Sequence, residues 1–71
     1  MTSEKGRVLQ WLRQVSAGTV ANMIGSCKYA VIDSTLSKAA LLASAMDDEQ
    51  LKAIQTMADY ETLLRSAMSM K

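Results

Sequence analysis

Apolar residues recur along this chain at intervals of three and four, the spacing of one face of an α-helix. Val8, Leu12 and Val15 share such a face with Trp11 beside them, which predicts a first helix over roughly residues 4–16. Ser3 or Thr2 stands where a hydroxyl accepts from the open amides of a first turn. Gly18 and Thr19 punctuate the pattern. Val20, Met23, Ile24 and Cys27 then line one side of a short second helix. Behind Asp33 or Ser34 as a cap, Leu36, Ala40, Leu41, Ala43 and Met46 recur in a third helix that is apolar almost all round and therefore expected to be central. Ala39 with Ala43, and Ala40 with Ser44, permit close helix–helix approach at four-residue spacing.

Asp47-Asp48-Glu49-Gln50 reads as a fresh helix start. Asp47 and Gln50 have the spacing of a capping box, and acids in a first turn suit the helix dipole. The alternative is one long helix running through these charges. In the last segment, to about Met68, Ala53, Met57, Tyr60, Leu64 and Ala67 form a stripe at alternating spacings of four and three, flanked by Ile54, Leu63 and Met68. Asp48–Lys52 and Glu61–Arg65 are correctly oriented i, i+4 pairs, each contributing only a few tenths of a kcal/mol. The predicted architecture is all-α: one domain over residues 1–71, a small bundle of three to four helices with a long C-terminal helix.

Seventy-one residues bury a modest fraction of their surface, so the core of such a chain is marginal. Disulfides, a metal or a partner are the usual remedies. Cys27 is the only cysteine and histidine is absent, which removes an internal disulfide and argues against structural zinc. Self-association is the remaining route. The C-terminal stripe spans under three heptads, and it offers Ala53, Ile54, Met57, Tyr60, Leu64, Ala67 and Met68 as a seam between copies. Packing of the same stripe on the chain's own core is the equal alternative. Six methionines and only three aromatic residues, Trp11, Tyr29 and Tyr60, give an apolar surface able to adapt to partners.

Formal charge is +1, which fits neither a strong polyanion binder nor an acidic mimic. Its distribution is uneven. Residues 1–38 carry five bases against two acids, a net +3, whereas residues 39–71 carry three bases against five acids, a net −2. No apolar leader and no run of the ~18–20 apolar residues that span a bilayer is recognisable, so a reduced, cytoplasmic setting without membrane contact is expected. Histidine, the commonest general base near neutral pH, is missing, and Cys27 therefore lacks the partner of a thiol catalyst. Adjacent acids at 47–49 do not converge on a cation, and the three glycines form no phosphate cradle. No enzyme, cofactor or metal is expected.

Two stretches carry resemblances. Ala21, Gly25 four residues on, and Val31 six further, supported by Val20 and Ile24, follow the A-x-x-x-G-x-x-x-x-x-V pattern of a helix-turn-helix. The small residue lets two helices approach, the glycine takes positive φ in the turn, and the valine plugs the core. The stretch 19–31 resembles small phage-type regulators. That resemblance implies a groove-facing surface of Lys28, Tyr29 and Ile32 near Cys27, with Lys38, Arg13 and Lys5 meeting phosphates. Departures are Ser26 and Ser34 at usually apolar positions, and a recognition segment holding one base, one acid and no Arg, Asn or Gln.

Leu9, Leu12-Arg13, Thr19-Val20, Ile24, Lys28-Tyr29 and Asp33 are similar to a series in the Hha/YmoA family of nucleoid modulators, over about residues 9–33 and with a one-residue gap. That resemblance implies a four-helix domain that joins a DNA-binding nucleoid protein. The family's aromatic C-terminal end is absent. The favoured expectation is a non-enzymatic, homo-oligomeric regulator that binds a protein partner, such as a repressor or a nucleoid protein, and modulates transcription. A dimeric helix-turn-helix DNA binder is the alternative, and a structural or chaperone-like helical subunit the third.

Overall fold

The computed structural model describes residues 3–70, and each helix in it begins or ends at a residue with a local reason to do so. Helix α1 spans Glu4–Gln14, with Ser3 Oγ accepting from the Gly6 amide at 3.0 Å. The chain turns extended at Val15, and Ser16 Oγ accepts from the Thr19 amide at 3.2 Å to start α2, Ala17–Ile24. Helix α2 stops at Gly25, whose φ of +71° is left-handed. The amides of Gly25 and Ser26 both donate to the Ala21 carbonyl, at 2.9 and 3.2 Å. That is a helix closed by a left-handed glycine. Cys27 lies beyond this stop and is exposed, not on the Val20–Met23–Ile24 face where the periodicity put it.

Helix α3 spans Tyr29–Ala45, starting five or six residues earlier than one capped by Asp33 or Ser34 would. No side chain caps it; the Lys28 carbonyl accepts from Val31 and Ile32 instead. Burial of Ile32, Thr35, Ala39 and Ala43 draws the whole stretch into one helix, and packing overrides the weaker preference of a capping side chain. After Met46, the expected capping box is present: Asp47 accepts from the Gln50 amide at 3.0 Å, and Gln50 Oε1 from the Asp47 amide at 3.2 Å.

The expected long C-terminal helix is replaced by two. Helix α4 is the short Asp48–Lys52, and α5 is Met57–Met68. Between them Thr56 opens a second capping box: its Oγ1 accepts from the Asp59 amide, while Asp59 Oδ2 accepts from the amides of Thr56 and Gln55 at 2.9 and 3.0 Å. These local bonds outcompete helix continuation. Five helices therefore stand among the described residues, with no strand, rather than three or four.

Helix α3 packs on α1 and α5, while α1 also meets α4, and α2 meets α5 and α3. The radius of gyration, 11.3 Å, is close to the ~11 Å expected of a globular chain this long. The core joins Val8 and Leu12 of α1, Val20, Met23 and Ile24 of α2, Ile32, Ala39 and Ala43 of α3, and Leu51, Ile54, Tyr60, Leu63, Leu64 and Ala67 from the last two helices and their link. Thr35, the one buried polar residue among those described, donates from Oγ1 to the Val31 carbonyl at 2.7 Å. Trp11 and Tyr60 stack with ring centroids 3.9 Å apart and planes within 11°. No helix among the described residues is long and apolar enough to cross a membrane.

Candidate functional site

Three regions bring chemistry-bearing side chains to the surface: the α2–α3 turn, the groove between α1 and α3, and the outer edge of α5. At the turn, Lys28 and Tyr29 are both exposed, Tyr29 by 77%. Ile32, expected beside them on a groove-reading surface, is only 6% exposed and belongs to the core. The reason is the rotational phase of α3. Its inward face runs through Ile32, Thr35, Ala39 and Ala43, while Val31, the expected core plug, is only half-buried. A shift of one residue turns a helix by about 100°.

Lys38 and Arg13, two of the three expected phosphate contacts, do not share one patch with the turn. Lys38 is half-buried against the C-terminal end of α5, its Nζ donating to the Met70 carbonyl at 3.5 Å. Arg13 is exposed at the end of α1. It lines an open groove of about 660 Å³ together with Leu9, Leu36, Ala40, Leu41 and, across from it, Asp33. Among the described residues the ion pairs are Glu4–Arg7 and Glu61–Arg65, and neither Arg13 nor Asp33 has a charged partner there.

The C-terminal stripe divides. Tyr60, Leu64 and Ala67 lie in the chain's own core, as does Ile54, whereas Ala53 is exposed on the link between α4 and α5. Met57 and Met68 remain at the surface, 52% and 41% exposed. The buried members pack in the chain's own core, the other of the two packings that the sequence allowed for this stripe. The physical cause is the break at 53–56, which leaves α5 one face to bury, and α3 takes it.

Sequence reasoning overlooked Arg7. Its guanidinium donates to Glu4 within α1, to the Tyr60 hydroxyl at 3.2 Å, and to the Leu51 carbonyl at 3.2 Å. One side chain thereby fastens α1 to the end of α4 and to α5. Hydrogen bonding to Glu4 holds its pKa above the ordinary value, against partial desolvation. The i, i+3 spacing of Glu4 and Arg7 was legible, but nothing in the sequence marks a contact 44 or 53 residues away. Asp59 is held below its ordinary pKa first by the amide of Thr56, then by that of Gln55.

No three His, Cys, Asp or Glu side chains among the described residues gather where a metal ion would be held. Cys27 is exposed. What the surface offers is apolar and aromatic contact: Tyr29, Leu41, Met57 and Met68 are the exposed large hydrophobic residues. Comparison with protein-family models, with curated proteins and with solved structures finds no match.

Proposed function

We propose that this protein is a small, non-enzymatic, homo-oligomeric regulator that acts in the cytoplasm by binding a protein partner and so modulating transcription. The observation that carries the reading is the outer surface of α3. Over 17 residues this helix holds only two charged side chains, Asp33 and Lys38, yet it exposes Tyr29 by 77% and Leu41 by 67%. A solvated helix face is normally charged, and an uncharged one with large apolar groups is what a protein contact buries. The transcriptional setting rests on the two sequence resemblances, and a phage-type antirepressor or a subunit joined to a nucleoid protein fits both.

A second reading is favoured by one specific feature, the left-handed Gly25 between an eight-residue α2 and α3. In that reading α3 enters the major groove. Lys28 and Tyr29 would face the nucleic acid, with Arg13 on the backbone. Burial of Ile32 leaves Ala30, Asp33, Ser34 and Ser37 as the further outward residues, a set with no bidentate base reader.

Titration of labelled random duplex DNA across a salt series separates the two. Absence of binding even at low salt supports the protein-partner reading. Binding that weakens steeply as salt rises reports phosphate contacts, overturns that reading and promotes direct DNA contact.

A further inference from the structure

The groove between α1 and α3 has apolar walls and two opposite charges that form no ion pair among the described residues. Leu9 and Leu12 of α1 face Leu36, Ala40 and Leu41 of α3 across it. Arg13 is the last α1 residue on its wall and Asp33 the first of α3, so both charges sit at the end of the groove nearest Val15 and the start of α3. We infer that this groove is where two copies of the chain associate, Arg13 of each protomer pairing with Asp33 of the partner subunit. The inference rests on the self-association proposed above and assigns its surface.

Charge complementarity selects a second copy over an unrelated helix. A twofold axis makes a surface meet itself, so a charged patch suited to such contact carries both signs. An axis crossing near this end sets the two opposite charges against each other crosswise, forming two ion pairs, and lays exposed Leu41 against apolar surface. A basic or acidic foreign helix would satisfy one of the charges and oppose the other. Burial of such a pair beside leucines also favours register and orientation over other arrangements.

The test is molar mass by sedimentation equilibrium, on the full chain across a wide concentration range. Wild type is expected to reach twice 7.7 kDa. Arg13→Glu puts acid against acid in both crosswise pairs, and Asp33→Lys puts base against base. Each variant alone is expected to associate roughly tenfold or more weakly than wild type. An equimolar mixture of the two restores both pairs, so a heterodimer should form at concentrations where each variant alone stays largely monomeric. Leu41→Asp should also give a monomer. All three positions are exposed, so helicity by circular dichroism should be retained.

A wild type that stays at 7.7 kDa throughout would overturn self-association itself and leave the groove to another protein. A wild-type dimer that survives both charge reversals would overturn the groove alone. Loss of the dimer in both variants without recovery on mixing would overturn the crosswise pairing.

Discussion

Gly25 is the residue on which the α2–α3 geometry depends, and its replacement has a calculable effect. Its φ is +71°, yet a Cβ built there meets nothing within 4 Å. The cost of Gly25→Ala is therefore conformational and not steric crowding by neighbours. Holding a non-glycine residue in the left-handed region costs about 1–2 kcal/mol. Alanine also stiffens the unfolded chain, which offsets about 0.4–1 kcal/mol of that. A net loss of about 1 kcal/mol remains. For a chain of this length each kcal/mol shifts the melting temperature by ~4–8 °C. Gly25→Ala should thus lower Tm by about 5 °C, and Gly25→Val, β-branched at the same φ, by more.

Gly18 supplies the internal control. It too has open space around its Cβ position, but it lies within α2 and no left-handed φ occurs there. Alanine then stabilises by about 0.5–1 kcal/mol, because only the helical preference and the unfolded-chain entropy act. The same chemical change at two glycines seven residues apart should move Tm in opposite directions. The double variant should return near the wild-type value, since separated sites add. Thermal unfolding followed by circular dichroism reads all three. If Gly25→Ala leaves Tm unchanged or raises it as Gly18→Ala does, residue 25 is not left-handed, and the turn that supports the helix-turn-helix reading is lost with it.

Other substitutions probe the core and its fastenings. Leu64 is fully buried, so Leu64→Asp should unfold the monomer, with loss of helicity; a folded variant of reduced mass would restore it to a seam between copies. Tyr60→Phe keeps the stack on Trp11 but removes the acceptor of Arg7, and should cost about 1 kcal/mol in a denaturant melt with tryptophan emission little changed. An unaffected midpoint would mean the Arg7 fastening contributes nothing. Asp59 has its folded-state pKa lowered, so its contribution is present above the ordinary carboxylate value of 3.8 and is lost as pH falls through the lower folded value. Asp59→Asn should flatten the acid limb of stability against pH, and an unchanged acid limb would refute the role of the second capping box.

Much of this fold was legible because its signals are local. Ser3 caps α1, Asp47 and Gln50 form the predicted box, and the single positive φ among the described residues falls on Gly25. The spacing of Thr56 and Asp59 carries the same information as Asp47 and Gln50, and reading it would have divided the last helix correctly. Three-and-four periodicity did not reveal the break, because Ala53 and Met57 continue the stripe in sequence while the backbone leaves the helix between them. Nor does periodicity distinguish a face that meets another chain from one that meets the same chain. Tyr60, Leu64 and Ala67 fit both patterns, and only the placement of α3 decides between them.

The phase of α3 also bears on what its first turns do. The motif read in the sequence plugs the core with Val31, and the structure centres burial on Ile32 and Thr35. A helix entered one residue out of phase carries every later side chain about 100° around its axis. Ile32 is thereby withdrawn from the surface, while Asp33 is presented to solvent across from Arg13. An acid near the start of a helix opposes approach to phosphates, yet it complements a base carried by a second copy. The same rotation leaves Ala30, Ser34, Ser37 and Leu41 outward, without a cation among them. Direct reading of DNA is served by bidentate groups such as Arg, Asn or Gln, and these positions hold none. Contact with protein requires only that they be small or apolar, and they are.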